Sequence, residues 1–267
     1  MIRLAVRVPR EHAELVLAEL LAFAPGGLEE RDVGDDVEYV LYGAEGELPS
    51  LGDVRAAVGG LLVDVSAAEL PDDWGQDWRA FHRPLDVPGL RVRPPWEEPL
   101  EGALDVVIDP GQAFGTGLHP STRLTLELLA SLEPAGALAD WGCGSGILAI
   151  AAAKLGWSPV LACDVQPESV EATRTGAAAN GVRVEVSRCD VRQGGPFAPT
   201  VLANLIRPLL LQVAEVLDPV PERLVVSGLT LDEVDEVLGA FARHGLREAS
   251  RREGDGWAAV ELLHSPA

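Results

Sequence analysis

The sequence predicts an α/β protein in two parts: a small α+β domain at residues 1–68 and a larger doubly wound domain at residues 101–267, joined by a linker at 69–100. Two observations predict this arrangement. Strand and helix patterns alternate regularly from Leu104 onward, which is typical of a mostly parallel sheet covered on both faces. A glycine-rich turn also stands between a predicted strand and a predicted helix of that region, as in α/β domains that bind nucleotides.

The first predicted domain follows the order β-α-β-β-α-β, which suggests a small ferredoxin-like fold. Short apolar stretches predict its strands, and apolar residues at helical spacing predict its helices. The expected strands are Ile2–Val8, Gly27–Val33, Val37–Tyr42 and Leu61–Val65, and the expected helices are Glu11–Phe23 and Leu51–Val58.

The predicted linker has a different character from both domains. It carries six prolines within Pro71–Pro99, together with Trp74, Trp78 and Trp96, and has no sustained periodicity. A plain linker and a segment that packs its aromatic side chains onto a neighbouring surface fit this composition equally well.

The second predicted domain alternates strands with helices. Its expected strands are Ala137–Trp141, Val160–Cys163, Val182–Ser187, Thr200–Ala203 and Leu224–Ser227. Helices are expected near Thr122–Leu132, Gly146–Leu155, Pro167–Asn180, Pro208–Leu217 and Leu231–His244. Two further strands, Glu248–Arg252 and Trp257–Leu263, flank a Gly-Asp-Gly turn and are expected to close the sheet with a hairpin.

The chain is strongly acidic, with 42 acidic against 21 basic residues and a net charge of -21. Non-specific binding to nucleic acid needs a basic face, so the charge argues against direct nucleic-acid contact. The charge suits a basic partner, and it fits a solubility margin in an acidic proteome equally well. No apolar run approaches the roughly 20 residues that cross a bilayer. The N-terminus lacks a signal-peptide pattern, so we expect a cytoplasmic protein without membrane contact.

The three cysteines, Cys143, Cys163 and Cys189, are too few and too widely spaced for a disulfide scaffold or a zinc site. Each follows or ends a predicted strand, where cysteine commonly serves as a small buried hydrophobe. We therefore expect no metal.

The strongest motif is the glycine run in Leu138-Ala-Asp-Trp-Gly-Cys-Gly-Ser-Gly-Ile-Leu. Gly142, Gly144 and Gly146 stand where a strand gives way to a helix, and they permit a tight turn and the close approach of a ligand to the backbone. A dinucleotide fingerprint requires glycine or alanine where this chain has Ile147. The spacing therefore disfavours a nicotinamide dehydrogenase.

Two acidic residues follow the next two predicted strands. Asp164 lies about 20 positions after the glycine turn, where a carboxylate can accept hydrogen bonds from both hydroxyls of a ribose. It could instead cap the helix that opens at Pro167. Asp190 is placed to meet an adenine edge, although a structural role is the better reading of that residue alone.

Asn204 ends the fourth predicted strand, at the sheet edge where open α/β sheets bind their ligands. Its amide can accept a hydrogen bond from an amine and aim the nitrogen lone pair. The segment Asp109–Thr122 is rich in glycine and is expected to fold over a cofactor, with Ser121 or Thr122 capping the next helix. His119 fits a general base and a structural role equally well.

Together these residues resemble the ribosomal protein L-eleven (L11) methyltransferase family. The matching segments are Asp109–Thr122, Asp140-Trp-Gly-Cys-Gly-Ser-Gly-Ile-Leu-Ala-Ile-Ala, Asp164 and Ala203-Asn204-Leu205. Trp78–Pro99, with its Pro-Pro-Trp-Glu-Glu-Pro, looks like the connector of that family, and the closing hairpin is typical of methyltransferase domains. The resemblance is dense from Trp78 to Leu217, and before that it rests on layout alone.

The resemblance implies a substrate-docking N-terminal domain, a mobile linker and a Rossmann-like class I methyltransferase domain. It implies an enzyme that uses S-adenosylmethionine (SAM) to methylate lysine ε-amines and the N-terminal α-amine of L11, a basic ribosomal protein. The cofactor contacts carried over by motif are Thr122, Gly142, Asp164 and Asn204, to which the residue patterns add Gly144 and Asp190. The chain departs from the family pattern at Leu118, Trp141, Arg207 and Pro208.

Methyl transfer from a sulfonium is an in-line displacement, so the site is expected chiefly to place an amine behind the methyl carbon. We expect Asn204 to position the amine, and Phe114 with a tryptophan to offer an aromatic face to the methylated cation. No dedicated base is expected, and the chain is expected to act as a monomer. Methylation of another protein or of a small molecule, and SAM binding by a regulatory module without catalysis, remain alternatives.

Overall fold

The computed structural model of the chain describes residues 2–13, 16–17, 20, 29–43, 48–69, 83–109 and 119–265. The chain divides into two compact units, Met1–Phe81 and His82–Ala267. Each unit is described by itself below. Among the parts of the chain that the structure describes, no helix is long and apolar enough to cross a membrane.

The first unit contains a four-stranded antiparallel sheet with the order β2-β3-β1-β4. Its strands are β1 (Ile2–Pro9), β2 (Glu29–Val33), β3 (Asp36–Gly43) and β4 (Asp64–Glu69), and helix α1 is Leu51–Val58. Alternate residues of the central strands β1 and β3 are buried, because a strand sends successive side chains to opposite faces. The described elements follow the predicted order β-α-β-β-α-β.

Two predicted elements of the first unit differ in the structure. The fourth strand, predicted at Leu61–Val65, begins instead at Asp64, because Gly59–Leu61 forms a 3-10 turn before it. In the predicted helix Glu11–Phe23, the described residues begin with a 3-10 turn at Arg10–His12 and are helical at positions 13, 16, 17 and 20. The remaining positions lie outside the described residues.

The second unit is built on a seven-stranded sheet with the order β10-β9-β8-β11-β12-β14-β13. Its strands are β8 (Leu138–Trp141), β9 (Val160–Asp164), β10 (Glu185–Arg188), β11 (Thr200–Asn204), β12 (Arg223–Thr230), β13 (Leu246–Gly254) and β14 (Trp257–His264). The strands from β10 to β12 are parallel, whereas β14 pairs antiparallel with both β12 and β13. The predicted doubly wound sheet and its closing hairpin are therefore confirmed.

In the described part of the second unit, five helices cover the two faces of this sheet: α2 (Pro120–Ser131), α3 (Ile147–Leu155), α4 (Pro167–Ala179), α5 (Arg207–Glu215) and α6 (Val234–Ala242). One apolar core joins one face of the sheet to α2 and α3, and a second joins the other face to α5 and α6. Cys143 and Cys163 are buried in these cores and Cys189 is half-buried, in agreement with their expected role as small apolar side chains.

The prediction of an irregular linker is wrong for its second half, which forms strands. Residues assigned to the linker form two short strands, β5 (Leu85–Val87) and β6 (Leu90–Arg93), which with β7 (Leu104–Val107) make a three-stranded sheet. Val87, Leu90 and Val92 are buried in the first core of the second unit. These strands have only three and four residues, too few to show a period between the flanking prolines. Residues 70–82 of the predicted linker lie outside the described residues.

Candidate active site

The glycine turn follows β8 and opens α3. Gly142, Gly144 and Gly146 all have positive φ angles, of 76°, 53° and 81°, a conformation that residues with a Cβ rarely adopt. The amides of Gly142 and Cys143 both donate to the carbonyl of Cys163 in the neighbouring strand, at 2.8 and 3.0 Å. The turn is therefore held by backbone bonds to β9.

Two of these glycines also lie against other elements. A Cβ on Gly142 would collide with the side chain of Leu205, the residue after Asn204. A Cβ on Gly146 would lie 2.8 Å from Cγ2 of Thr173 in α4. The turn thus brings the end of β8 into contact with the end of β11, at the edge of the sheet where we expected the site.

Asp164 joins the glycine turn to the end of β9. Its Oδ2 accepts from the amide of Gly144 at 3.0 Å, and its Oδ1 accepts from the amide of Gln166 at 2.9 Å. Each carboxylate oxygen can accept a second hydrogen bond. The half-buried carboxylate therefore orders the start of α4 and retains the capacity to accept from two ribose hydroxyls.

Asp140 is a site feature that sequence reasoning missed. Its side chain is 1% exposed, Oδ2 accepts from the amide of Ala149 at 3.1 Å, and Oδ1 has no hydrogen-bond partner among the described residues. Burial raises the pKa of Asp140 to about 7, and the negative charge of Asp164 adds to the rise. The available signal was an acidic residue inside the apolar strand that leads into the glycine turn.

Asn204 and Thr122 meet although they lie 82 residues apart in the chain, since Nδ2 of Asn204 donates to Oγ1 of Thr122 at 3.2 Å. Thr122 is buried in the first turn of α2. That turn also lies against the sheet, because the hydroxyl of Ser227 in β12, which donates to the carbonyl of Ala258 at 2.8 Å, is 3.3 Å from the carbonyl of Ser121. The structure therefore brings together two of the predicted site residues.

His119 is the N-cap of α2. Its Nδ1 accepts from the amide of Ser121 at 3.3 Å and lies 2.8 Å from the hydroxyl of the same residue. With Nδ1 accepting, the neutral ring carries its proton on Nε2, so it has no open basic nitrogen. Burial lowers the pKa of His119. Of the two predicted roles of His119, these contacts support the structural one, and the prediction that Ser121 or Thr122 caps the helix is wrong because His119 is the N-cap.

Trp257 is an aromatic neighbour that the sequence did not single out. Its ring packs edge-on against the ring of His119, with centroids 4.4 Å apart and an interplanar angle of 75°. Phe114, which we expected to offer an aromatic face, lies outside the described residues, as does Leu118.

Asp190 lies just beyond the end of β10, and the amide of Cys189 beside it donates to the carbonyl of Asp164 at 3.0 Å. Its carboxylate accepts from the amide of Arg192 at 3.0 Å and from the guanidinium at 2.7 and 2.8 Å. The side-chain hydrogen bond from Arg192 lowers the pKa of Asp190. The residue therefore caps the 3-10 turn Val191–Gln193, which is the structural role.

The three described departures from the family pattern have structural partners. The buried Trp141 donates from Nε1 to the carbonyl of Pro196 at 3.0 Å, and its ring fills the space that a Cβ on Gly195 would need. Arg207 forms ion pairs with two acidic residues of the α6 region, Glu233 at 3.2 Å and Glu236 at 2.7 Å. Pro208 lies in the first turn of α5, where its missing amide proton costs nothing.

The fold of the second unit, a parallel sheet completed by an antiparallel hairpin, is that of the Rossmann-like class I methyltransferases. The chain belongs to the ribosomal protein L11 methyltransferase family. The family model described as "Ribosomal protein L11 methyltransferase (PrmA)" matches residues 56–264.

Individual relatives agree with this assignment. The chain is 39% identical to a ribosomal protein L11 methyltransferase of Symbiobacterium thermophilum over 198 residues, which cover 71% of this chain and 65% of that protein. It is 32% identical to the Burkholderia ambifaria protein of the same name over 289 residues, covering 96% of each. The crystal structure of a ribosomal protein L11 methylase from Lactobacillus delbrueckii subsp. bulgaricus superposes with a TM-score of 0.63 at 26% identity, covering 69% of this chain and 100% of that chain.

Proposed function

We propose that this chain is a SAM-dependent protein N-methyltransferase and that its acceptor is ribosomal protein L11. The observation that carries the proposal is the contact of Asn204 with Thr122, beside a glycine turn joined to Asp164. Family membership supports the choice of acceptor, and the net charge of -21 favours encounter with a basic protein. The reaction would take place in the cytoplasm and would need one copy of the chain.

The residues of the second unit fit SAM. The turn of Gly142 and Gly144 exposes backbone without Cβ atoms, and Asp164 has acceptor capacity for the ribose. The buried carboxyl of Asp140 has one oxygen without a partner among the described residues, which suits a cationic ligand. When bound, SAM supplies a methyl group made electrophilic by its sulfonium.

Asn204 would orient the acceptor amine. Because its Nδ2 donates to Thr122, its Oδ1 is left to accept an N–H of the amine and to direct the lone pair of the nitrogen. An amide cannot take up a proton, so the amine must lose its proton before attack. For a lysine this costs about 4–5 kcal/mol at pH 7, a cost that desolvation near a positive charge lowers.

Two further roles complete the proposal. Phe114 and Trp257 would offer aromatic faces to the methylated amine, which stays cationic. Residues 1–68 would hold the protein substrate. Acidic residues outnumber basic ones in that part of the sequence, as expected for a surface that meets a basic protein.

The test is to incubate the protein with radiolabelled SAM and the ribosomal proteins of its source, and to follow the label by gel electrophoresis and mass spectrometry. One labelled band identified as L11, lost in Asp164→Ala and retained in Asp235→Asn, is the expected result. Asp235 is a control because it is an exposed carboxylate on α6 that belongs neither to the glycine turn nor to the contact of Asn204 with Thr122. If the protein binds SAM but no protein becomes labelled, SAM stands as the cofactor and the proposed protein acceptor is rejected.

A further inference from the structure

Strand β12 is interrupted beside Asn204. The register between β12 and β14 shifts between Ser227 and Leu229, so Gly228 is an extra residue in the strand. Its φ angle is +82°. A bulge with glycine in this conformation bends a strand locally and commonly re-aims the groups next to it.

The α-carbon of Gly228 lies against the oxygens that would meet the amine. A Cβ at this position would be 2.5 Å from the carbonyl oxygen of Leu205 and 3.1 Å from Oδ1 of Asn204. Real Cβ atoms essentially never come within 3.0 Å of a neighbour, so a side chain here would force a shift.

Neither oxygen can move away at little cost. The amide of Leu205 donates to the carbonyl of Ser227 at 3.0 Å, and the side chain of Leu205 lies against Gly142. The Asn204 amide is held on its other side by Thr122. A Cβ on Gly228 would therefore displace the Asn204 amide, the Leu205 carbonyl, or both.

We infer that Gly228 is a positioning residue for amine binding: its missing side chain lets Asn204 Oδ1 and the Leu205 carbonyl lie side by side while Asn204 keeps its bond to Thr122. The inference rests on the proposed function. Because both oxygens lie within 3.1 Å of the Cβ position of Gly228, they are close enough to each other for one nitrogen with two N–H groups to donate to both. The pair therefore fits a neutral primary amine, which has two N–H donors, better than a hydroxyl, which has one donor.

The test compares Gly228→Ala with Gly136→Ala. Gly136 is a matched control because its φ angle is +79° and a Cβ there meets nothing within 4 Å. Gly228→Ala is expected to lower kcat by about tenfold or more and to leave the Kd for SAM within about threefold, whereas Gly136→Ala changes neither. A kcat in Gly228→Ala equal to that of the control would overturn the inference.

A double-mutant cycle separates positioning from a general loss of structure. In an Asn204→Ala background, adding Gly228→Ala is expected to lower kcat by a smaller factor than it does in the unsubstituted protein, since one of the two oxygens through which Gly228 acts is already gone. Full additivity would show that Gly228 acts by another route. Thr122→Val tests the opposite contact of the same amide and is expected to lower kcat in the same way. An unchanged kcat there would also overturn the inference.

A crystal structure of Gly228→Ala tests the positioning role of Gly228 without a measurement of enzyme activity. The expected result is an Asn204 Nδ2 to Thr122 Oγ1 distance beyond hydrogen-bonding range, or a displaced Leu205 carbonyl. If both stay in place, or if Gly228→Ala fails to fold while Gly136→Ala folds, the inference is wrong. If the unsubstituted protein methylates no ribosomal protein, the proposed function fails, and this structure still tests the role of Gly228.

Discussion

The carboxyl group of Asp140 is buried, and burial favours its neutral form over its ionised form. Burial raises the pKa of its carboxyl from 3.8 to about 7, so the folded protein retains a proton that the unfolded chain releases at lower pH. The stability from this group is fully present below the unfolded pKa and is lost as pH rises through about 7. The protein without SAM is therefore expected to lose stability between pH 4 and pH 7.

The variant Asp140→Asn is expected to remove this loss. The amide keeps an oxygen that can accept from Ala149 but has no charge to desolvate, and the shift of the wild-type group corresponds to about 4 kcal/mol. The measurement is the free energy of unfolding in urea at pH 5 and pH 8, without SAM. Asp235→Asn corrects for the change in net charge. Equal pH dependence in the wild type and Asp140→Asn would contradict the pKa assignment.

Individual site residues differed in how far the sequence could predict them. The positive φ angles of Gly142, Gly144 and Gly146 could be expected, since glycine runs between a strand and a helix commonly mark such turns. The hydrogen bond between Thr122 and Asn204 could not, because it depends on how α2 packs against the end of β11. The importance of Asp140 was hidden because burial, and not residue type, gives it an unusual pKa.

At the scale of the element, β7 is fastened to α4 by one side chain. Oδ1 of Asn180, just past the end of α4, accepts from the amide of Val107 at 2.8 Å. Its Nδ2 donates to the carbonyl of Val107 at 2.7 Å and to that of Gly176 at 2.8 Å. One amide thus satisfies both backbone groups of a residue in β7, the strand that leads into the segment Asp109–Thr122.

Asn180→Ala is expected to reduce the free energy of unfolding by about 1–3 kcal/mol, because it leaves the partly buried backbone groups of Val107 without these partners. Chemical denaturation measures the change. Gln166→Ala serves as the control, since Gln166 is an exposed amide side chain that makes no capping bond. A loss no larger than that of the control would show that water replaces the Asn180 contacts.

The elements that the sequence predicted best are those whose pattern is long or strongly apolar. Strands β8, β9 and β11 and helix α3 fall within one or two residues of their predicted bounds. Strand β10 is shorter than predicted, because the amide of Val182 donates to the carbonyl of Ala177 at 3.0 Å and so belongs to the end of α4. Local hydrogen bonds of this kind leave no trace in hydrophobic periodicity.

On the scale of the whole molecule, each unit has its own core. The described core of the first unit draws only on residues before position 66, and the two cores of the second unit draw only on residues after position 84. Since the described core residues of the second unit all come from that unit, it has the apolar contacts that a domain needs to fold alone.

A chain shortened to residues 82–267 is therefore expected to fold and to bind SAM with a Kd within about threefold of the full chain, while losing methylation of L11 by about tenfold or more. The physical reason is the proposed docking role of the first unit, which raises the effective concentration of the acceptor amine. Calorimetric titration with SAM and the labelling assay measure the two quantities. Undiminished labelling of L11 by the shortened chain would reject the docking role.

The contact between Trp141 and Gly195 also limits the paths by which this sequence can evolve. The indole occupies the volume that any side chain at position 195 would need, so a side chain there requires a smaller residue at position 141. A lineage can accept alanine at position 195 only after the ring at position 141 has been exchanged for a smaller side chain. If alanine came first at position 195, its Cβ and the indole of Trp141 would occupy the same space. Substitutions at these two positions are therefore expected to be tolerated in one order and not in the other.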